Sequence, residues 1–542
     1  MPTHRQETQR GRLELHLLLL GGLACLLAPW GAAAVRLHPR DATSLALLAS
    51  EWSGFNGSDT WGLRHVDCTA MEGVFCDKDG FVSAIMLKLL NLGAPIPAMI
   101  SRFQRLDTLM LTFCEITGTI PDALFDLRRL NTLAIAGNPI SGTLPDGFSR
   151  LTNLEYLYLA SNQLSGPITP LANLLQLKEL YLPQNSFSGS LPNELGNLTA
   201  VTRLLLSYNL FSGNLPYSIG NMASLKEFDL SSNQLTGSIL ESPMFPSSLK
   251  YLGLNRNLLH GSIPTSLASL QQLDRISLMA NQLSGSIPSA LGDLRRMRFL
   301  LLSGNALSGS IPTAIGKLTN LVALYLQENQ LYGTIPSTLS NLSRLERLVV
   351  GINQLCGSIE PILRAMRNLT VLSLSGNLFS GRLPNAPGPS LTQYRVDGNF
   401  FSHGDVKFTN CSAVLWDTSK NCLAASLSVC GRTSTQRPTA VCTAFCGVVA
   451  GSASPACGGH GYCALNAFTA MGECTCDPNY MLNSSNSNAC MPGAVGASLE
   501  SGSAYVSLLG SASVLSNGSI LLTGSQPQRH AIFSWSFTTD DG

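Results

Sequence analysis

The sequence predicts an α/β-type solenoid, a stack of short coils with a parallel β-sheet on its concave side. The main evidence is a pattern, LxxLxLxxNxLxGxIP, that recurs through residues 82–403. A fixed period of this length is typical of stacked structural repeats. The pattern's asparagines follow one another at 24 residues, except for one interval of 23: Asn138, Asn162, Asn185, Asn209, Asn233, Asn257, Asn281, Asn305, Asn329, Asn353 and Asn377.

Each position of the pattern has a physical role. In the copy LEYLYLASNQLSGPITP (154–170), the LxLxx segment predicts a short strand with Leu157 and Leu159 pointing inward. The buried asparagine amide can hydrogen-bond the backbone of neighbouring turns, and glycine and proline shape the next bend. Because one turn cannot bury its apolar face alone, the turns must stack and their strands form one sheet. About fourteen turns at roughly 4.8 Å each give a strip about 65 Å long.

The GxIP ending and the 24-residue length resemble the plant-type leucine-rich repeat over more than half of the chain. Residues 82–97 form a degenerate first turn with Leu90 at the asparagine position, and the next turn has Cys114 there. The last turn, 391–403, lacks the glycine. We therefore expect a plant-type leucine-rich-repeat solenoid at residues 82–403.

Residues 1–34 combine arginines, an apolar run and small residues, a pattern typical of a cleaved secretory signal. The alternative, a buried helix of a cytosolic protein, is disfavoured because the cysteines further on require an oxidising compartment. Residues 35–81 resemble the N-terminal cap of plant leucine-rich-repeat receptors. This cap is expected to contain an amphipathic helix, a tryptophan and a disulfide: Leu45, Leu48, Trp52, Trp61, Cys68 and Cys76.

Residues 404–445 have no repeat and are interpreted as a Cys-rich C-terminal cap. Two disulfides are expected there, with all three pairings open: Cys411, Cys422, Cys430 and Cys442.

Residues 446–490 resemble an EGF-like module, on the motifs CGGHGYC and ECTC. An irregular disulfide knot continuous with the cap is the alternative. No acidic triplet precedes this segment, so no metal is expected. The resemblance implies three disulfides: Cys446–Cys463, Cys457–Cys474 and Cys476–Cys490.

Residues 491–542 begin as a linker and continue with YVSLLGSASVLSNGSILLT (505–523), which predicts two strands joined by a turn. This text resembles the opening of a legume-type (L-type) lectin domain. Such a sandwich needs roughly 200 to 250 residues. We therefore expect an incomplete β segment and a chain that is the front part of a longer receptor kinase; a secreted tail is the alternative.

Composition excludes some classes of function. The net charge is +1 with 12% charged residues, so electrostatics suggest no nucleic-acid partner. No apolar run of membrane-spanning length follows the signal. Cys114 and Cys356 lie ten turns apart and are expected to be thiols, out of disulfide reach. Seven sequons predict glycosylation: Asn56, Asn197, Asn341, Asn368, Asn410, Asn483 and Asn517.

No metal-ligand spacing, nucleotide-binding loop or kinase signature is present in the sequence, so no catalytic residue and no cofactor is expected. The concave strand positions that flank the buried leucines are the candidate ligand site, because tyrosine and arginine often carry interface energy. An ordinary filling of the motif is the alternative. The candidates are Tyr156, Tyr158, Glu179, Tyr181, Arg203, Tyr208, Tyr251, Phe299 and Tyr325.

These features predict a secreted or membrane-tethered recognition module, similar to the ectodomain of a plant leucine-rich-repeat receptor, with a possible co-receptor. The ligand is expected to be an extracellular protein, peptide or glycan. No turn is long enough for a steroid-binding island, and no turn has arginine on both sides of its inward apolar residue, as in relatives that clamp a peptide carboxylate. A secreted inhibitor of a wall-degrading enzyme, resembling polygalacturonase inhibitors, is the alternative.

Overall fold

A computed structural model describes residues 36–52, 61, 67–68, 71–239, 241, 244–363, 365–382 and 391–402, and the backbone of short strands beyond them. The predicted signal segment, Asn56, Asn410, Asn517 and all cysteines from 411 to 457 lie outside the described residues. Cys463, Cys474, Cys476, Cys490 and Asn483 lie on strands of which only the backbone is described. The EGF-like pairings and the glycans at these positions therefore stay predictions.

The solenoid begins with a cap built on helix α1 (Pro39–Glu51). Leu45, Leu48 and Trp52 of this segment are almost completely buried, as the amphipathic pattern predicts. The Trp52 ring lies 6.3 Å from that of Trp61, and its indole N–H donates to a backbone carbonyl of the first coil. A disulfide joins Cys68 and Cys76, as predicted from their spacing.

The concave sheet confirms the predicted parallel stack and pairs each strand with its equivalent in the next turn. Only β1 is antiparallel, and β28 extends the sheet beyond the last predicted turn. The sixteen strands, in spatial order, are β1 (Val74–Cys76), β2 (Val82–Lys88), β3 (Thr108–Thr112), β4 (Thr132–Ala134), β6 (Tyr156–Tyr158), β8 (Glu179–Tyr181), β10 (Arg203–Leu205), β12 (Glu227–Asp229), β14 (Tyr251–Gly253), β16 (Arg275–Ser277), β18 (Phe299–Leu301), β20 (Ala323–Tyr325), β22 (Arg347–Val349), β24 (Val371–Ser373), β26 (Gln393–Arg395) and β28 (Leu415–Asp417).

The xLxGx segments form two further parallel sheets on one flank of the solenoid. The repeat pattern predicts extended backbone at these segments but not that they pair into sheets. The first contains β5 (Ser141–Thr143), β7 (Gln163–Gly166), β9 (Ser186–Ser190), β11 (Leu210–Gly213) and β13 (Gln234–Leu235). The second contains β15 (His260–Ser262), β17 (Gln282–Ser286), β19 (Ala306–Gly309), β21 (Gln330–Thr334), β23 (Gln354–Gly357), β25 (Leu378–Arg382) and β27 (Phe400–Ser402).

Short helices close the convex side of the turns, and most follow the motif proline directly, because its extended backbone ends the flank strand. The 3₁₀ helices are Ala98–Arg102, Asp122–Asp126, Asp146–Arg150, Thr169–Leu171, Asn193–Asn197, Tyr217–Asn221, Thr265–Ser269, Ser289–Asp293, Thr313–Lys317 and Ser337–Asn341. Helix α2 (Glu360–Leu363) replaces the 3₁₀ helix in a later turn. Beyond the solenoid, the described strands are three antiparallel pairs: β29 (Gly461–Leu465) with β30 (Gly472–Cys476), β31 (Tyr480–Asn483) with β32 (Asn486–Pro492), and β33 (Ser511–Val514) with β34 (Ile520–Thr523).

The motif asparagines form the predicted hydrogen-bond ladder. Asn257 is 2% exposed, and its amide donates to the carbonyls of Leu230 at 2.9 Å and Leu254 at 3.0 Å. Its carbonyl accepts from the backbone N–H of Leu235 at 3.0 Å, which ties the turn to the one before it. Cys114 fills the same slot, with its thiol directed at the equivalent carbonyls of Leu87 and Thr112. The ladder therefore makes the strand positions of each turn rigid.

Candidate ligand-binding face

The concave sheet presents two outward positions per strand, one on each side of the buried central residue. Parallel pairing stacks equivalent positions into columns, so that Tyr156, Glu179 and Arg203 are neighbours in the first column. Tyr158 and Tyr181 are neighbours in the second column. Eight of the nine predicted residues occupy these columns, namely Tyr156, Tyr158, Glu179, Tyr181, Arg203, Tyr251, Phe299 and Tyr325.

An aromatic and apolar platform covers the N-terminal third of this face. Its partly exposed side chains surround a floor of small residues, Met110 and one buried tyrosine. Because Ala134, Ala136 and Ala160 project little, the larger side chains lie over them and leave them at most 1% exposed. The side chains accessible on this platform are Met86, Phe113, Tyr156 and Tyr181.

Tyr158 does not have the solvent-facing position that the strand pattern predicts. It is only 1% exposed and belongs to the floor of the platform. Its ring centroid lies 6.0 Å from that of Tyr181. Its hydroxyl donates to a Glu179 carboxylate oxygen at 2.7 Å. Burial and the neighbouring carboxylate raise the pKa of Tyr158 well above its ordinary range, so the hydroxyl keeps its proton.

Tyr208, predicted as a ligand-binding residue, lies outside the strands of the concave sheet. Strand β10 ends at Leu205, and Tyr208 lies in the turn that follows, with a φ of 56°. The residue before the ladder asparagine adopts this left-handed conformation in many turns. Tyr208 is 36% exposed there.

A charge-paired segment follows the platform. Arg203 lies between two carboxylates of its own column, 3.4 Å from Glu179 and 3.3 Å from Glu227. Lys178 pairs with Glu155 at 2.7 Å beside the platform. The donors of Arg203 are therefore engaged within the sheet, and this arginine fixes the positions of its neighbours.

A partly buried polar network forms the middle of the face. Asp229 accepts hydrogen bonds from the backbone N–H and the hydroxyl of Ser231, and burial raises the pKa of its carboxyl group. The Tyr251 hydroxyl reaches over Gly253, where an added Cβ would lie only 2.5 Å from it. Asn255 continues the network by accepting hydrogen bonds from the hydroxyls of Ser231 and Ser277, at 2.8 and 2.9 Å. Sequence reasoning missed this network, since its only signal was a run of small polar residues.

The C-terminal part of the face is basic. The guanidinium carbon of Arg275 lies 5.5 Å from the Tyr251 ring centroid and 4.5 Å from that of Phe299. Further along, a depression of about 390 Å³ is lined by two arginines, one tyrosine and uncharged side chains. Its lining is Tyr325, Arg347, Val349, Thr370, Val371, Ser373, Thr392, Gln393 and Arg395.

The three sequons with described side chains lie away from the concave strands. Asn197 and Asn341 are the last residues of two 3₁₀ helices and are exposed. Asn368 is also exposed, and its amide donates to the carbonyl of Ser343 at 2.7 Å. In the described part of the chain, no three acidic, histidine or cysteine side chains converge as metal ligands. No helix among the described residues has the length and hydropathy of a membrane span.

These features define an α/β solenoid of the leucine-rich-repeat fold. A family model described as leucine rich repeat matches residues 104–164. A second model with that description matches residues 176–198, 224–244, 296–318, 320–342 and 368–389. No match to a curated protein was found.

Solved structures of plant receptor ectodomains resemble this solenoid. The structure titled plant peptide hormone receptor RGFR1 in complex with RGF2 is 33% identical, with 59% of this chain and 50% of that chain covered and a TM-score of 0.54. The PEPR1–AtPEP1 structure is 28% identical; the match covers 67% of this chain and 59% of that chain, with a TM-score of 0.56. A TDR receptor structure is 29% identical; the match covers 61% of this chain and 62% of that chain, with a TM-score of 0.53. The chain thus spans 50 to 62% of the length of these neighbours.

Proposed function

We propose that this chain is an extracellular recognition module of receptor type that binds a polypeptide ligand on its concave face. The observation that carries the proposal is the platform: Tyr156 and Tyr181 are partly exposed aromatic side chains on strands that the asparagine ladder makes rigid. Rigid aromatic side chains lose little conformational entropy when they bind, and tyrosine is enriched at interface hot spots. The resemblance to a peptide hormone receptor ectodomain favours a polypeptide over a glycan.

The receptor assignment includes several elements that we propose from sequence. Export would follow removal of residues 1–34, and the cysteines after residue 404 would form disulfides in the oxidising compartment. The module would act at the outer face of the plasma membrane. Ligand binding would be passed on by a co-receptor or by a kinase encoded beyond Gly542.

The platform can be tested by capture of ligands from extracellular fluid. The chain is immobilised beside the double variant Tyr156→Ala/Tyr181→Ala and the control Tyr217→Ala, whose ring is 58% exposed on a convex 3₁₀ helix. Hot-spot tyrosines cost on the order of 1 to 3 kcal/mol each when truncated, so the double variant should lose nearly all bound material. The control should capture as much as the wild type.

The nature of the ligand is read from the same experiment. Protease treatment of the extracellular fluid should abolish capture if the ligand is a polypeptide, whereas a glycan ligand would survive it. Equal capture by the double variant and the wild type would refute the platform. A wall-degrading enzyme among the captured proteins would support the inhibitor alternative instead.

A further inference from the structure

The arginines of the concave face differ in whether the protein itself neutralises them. Arg203 is held by Glu179 and Glu227 within the N-terminal half of the face. Among the described residues, by contrast, Arg275, Arg347 and Arg395 form no ion pair with a carboxylate. Because an unpaired guanidinium has donors available for a bidentate partner, these three positions are suited to bind an external anion.

Arg275 is also held in a defined orientation. Its guanidinium lies over the rings of both Tyr251 and Phe299, and the absence of a side chain at Gly253 lets the Tyr251 hydroxyl extend across the sheet. Aromatic faces attract the cation without using its N–H donors. The contacts therefore restrict the side chain while leaving its hydrogen-bonding edge for a ligand.

Arg347 lines the depression, and its guanidinium contacts the side chain of Tyr325. One guanidinium nitrogen lies 3.4 Å from the Tyr325 hydroxyl, and this contact raises the pKa of Arg347. No acidic residue lines the depression, and Arg395 adds a second positive charge at the far end. The remaining polar lining consists of hydroxyl and amide groups, which match the donors and acceptors of a peptide backbone.

The spacing of the two arginines sets the spacing of the anions. Arg275 and Arg347 occupy the same column, and the register connects them through Phe299 and Ala323 in three strand steps. At roughly 4.8 Å per step they are about 14 Å apart along the sheet. An extended peptide advances about 3.4 Å per residue with alternating side chains, so residues i and i+4 lie about 14 Å apart on the same face.

We infer that the ligand is an acidic polypeptide segment that lies extended along the solenoid axis, with two acidic side chains four residues apart bound at Arg275 and Arg347. This inference rests on the proposed function and specifies its ligand class. In the N-terminal half of the face, Arg203 is already neutralised by Glu179 and Glu227, so it does not need an acidic side chain from the ligand. The acidic part of the ligand is therefore directed to the C-terminal half of the face.

The test uses the full chain and synthetic fluorescent peptides of about twelve residues, enough to cover the basic strip in extended form. The matched peptide has two glutamates four positions apart in a neutral polar sequence. The mismatched peptide has the same composition with the glutamates adjacent, so that they point to opposite faces. Binding is measured by fluorescence anisotropy at low ionic strength, where exposed charges are least screened.

The matched peptide should bind at least about fivefold more tightly than the mismatched peptide, since it makes two charge-assisted contacts rather than one. Arg275→Gln and Arg347→Gln should each weaken the matched peptide by about three- to tenfold, and the double variant should bind both peptides equally. Arg275→Lys should weaken it less than Arg275→Gln. The control Arg367→Gln removes the same charge from an exposed site in a turn outside the concave strands and should leave binding unchanged.

Three outcomes would overturn the inference: equal binding of the two peptides, no binding of either, or tighter binding of an oligogalacturonate or sulfated oligosaccharide at the same arginines. The capture experiment with the two platform tyrosines separates this failure from failure of the proposed function. If capture requires Tyr156 and Tyr181 but is unaffected by Arg275→Gln and Arg347→Gln, the recognition module stands and the acidic ligand is wrong.

Discussion

Truncating Tyr158 tests how the platform is built. Its ring is 1% exposed and lies over the small residues of β4, while its hydroxyl donates to Glu179 at 2.7 Å. Tyr158→Phe keeps the ring and removes one hydrogen bond to a carboxylate, which is worth about 1.5 to 3 kcal/mol. The cost should fall near the lower end of that range, because Glu179 keeps its contact with Arg203.

Tyr158→Ala removes the ring as well and leaves a cavity beside Ala134 and Ala160. Truncation of a buried aromatic residue costs about 3 to 5 kcal/mol. Tyr156→Ala is the matched control, since Tyr156 is the partly exposed tyrosine on the same strand. Its cost should stay below about 1 kcal/mol, in the range of surface substitutions.

Urea unfolding followed by far-UV circular dichroism gives the three free energies. The expected order of destabilisation is Tyr158→Ala, then Tyr158→Phe, then Tyr156→Ala. If Tyr158→Ala cost no more than Tyr156→Ala, Tyr158 would be an ordinary surface residue and the description of the platform floor would be refuted.

Three further predictions concern the solenoid. Asn257→Ala leaves the buried N–H of Leu235 without a partner and removes one of the two asparagine hydrogen bonds that the carbonyls of Leu230 and Leu254 each accept. It should cost about 2 to 5 kcal/mol in urea unfolding, whereas Asn153→Ala, which removes one exposed hydrogen bond, should cost less than about 1 kcal/mol. Equal costs would refute the ladder's role. Burial raises the pKa of Asp229, so the folded chain binds this proton more tightly and is destabilised as pH rises through the raised value. The stability of Asp229→Asn relative to the wild type should therefore be higher at about pH 7 than at about pH 3. Glu155→Gln should show the opposite sign, because Lys178 lowers the pKa of Glu155 and this stabilisation is lost as pH falls. The same sign in both variants would contradict the assignment. Burial raises the pKa of the Cys114 thiol to about 11, so iodoacetamide at about pH 8 should modify it only after unfolding; rapid modification of the folded chain would show that the first turns open.

The repeat determined most of what the sequence could predict. A 24-residue spacing of leucine and asparagine is satisfied by stacked coils in which the motif leucines are buried and the motif asparagine amides reach the previous turn. The cap followed from Leu45, Leu48 and the Cys68–Cys76 pair, whose chemistry is local. In contrast, the flank sheets depend on backbone pairing between turns. The xLxGx sequence is only a weak indication of such pairing.

The site was harder to predict because exposure in a column depends on neighbouring turns. Tyr158 has an outward position in its own strand, but small residues one turn earlier let its ring lie flat and become buried. Tyr208 lies beyond the end of its strand, and its left-handed φ is set by the turn that leads to Asn209. The position of Asp229 beside Tyr251 likewise required Gly253 in the next strand. Such relations are set by residues 24 apart in sequence and are not visible within one copy of the repeat.

The most direct test of the central claim is hydroxyl-radical footprinting of the chain, free and bound to the polypeptide that it captures. Tyr156 and Tyr181 are partly exposed on the concave platform, while Tyr217 and Leu175 are 58 and 54% exposed elsewhere on the solenoid. Recognition on the concave face predicts that binding strongly lowers oxidation of the two platform tyrosines and leaves that of Tyr217 and Leu175 unchanged. Protection of Tyr217 with undiminished oxidation of Tyr156 and Tyr181 would contradict it and place recognition on the convex surface.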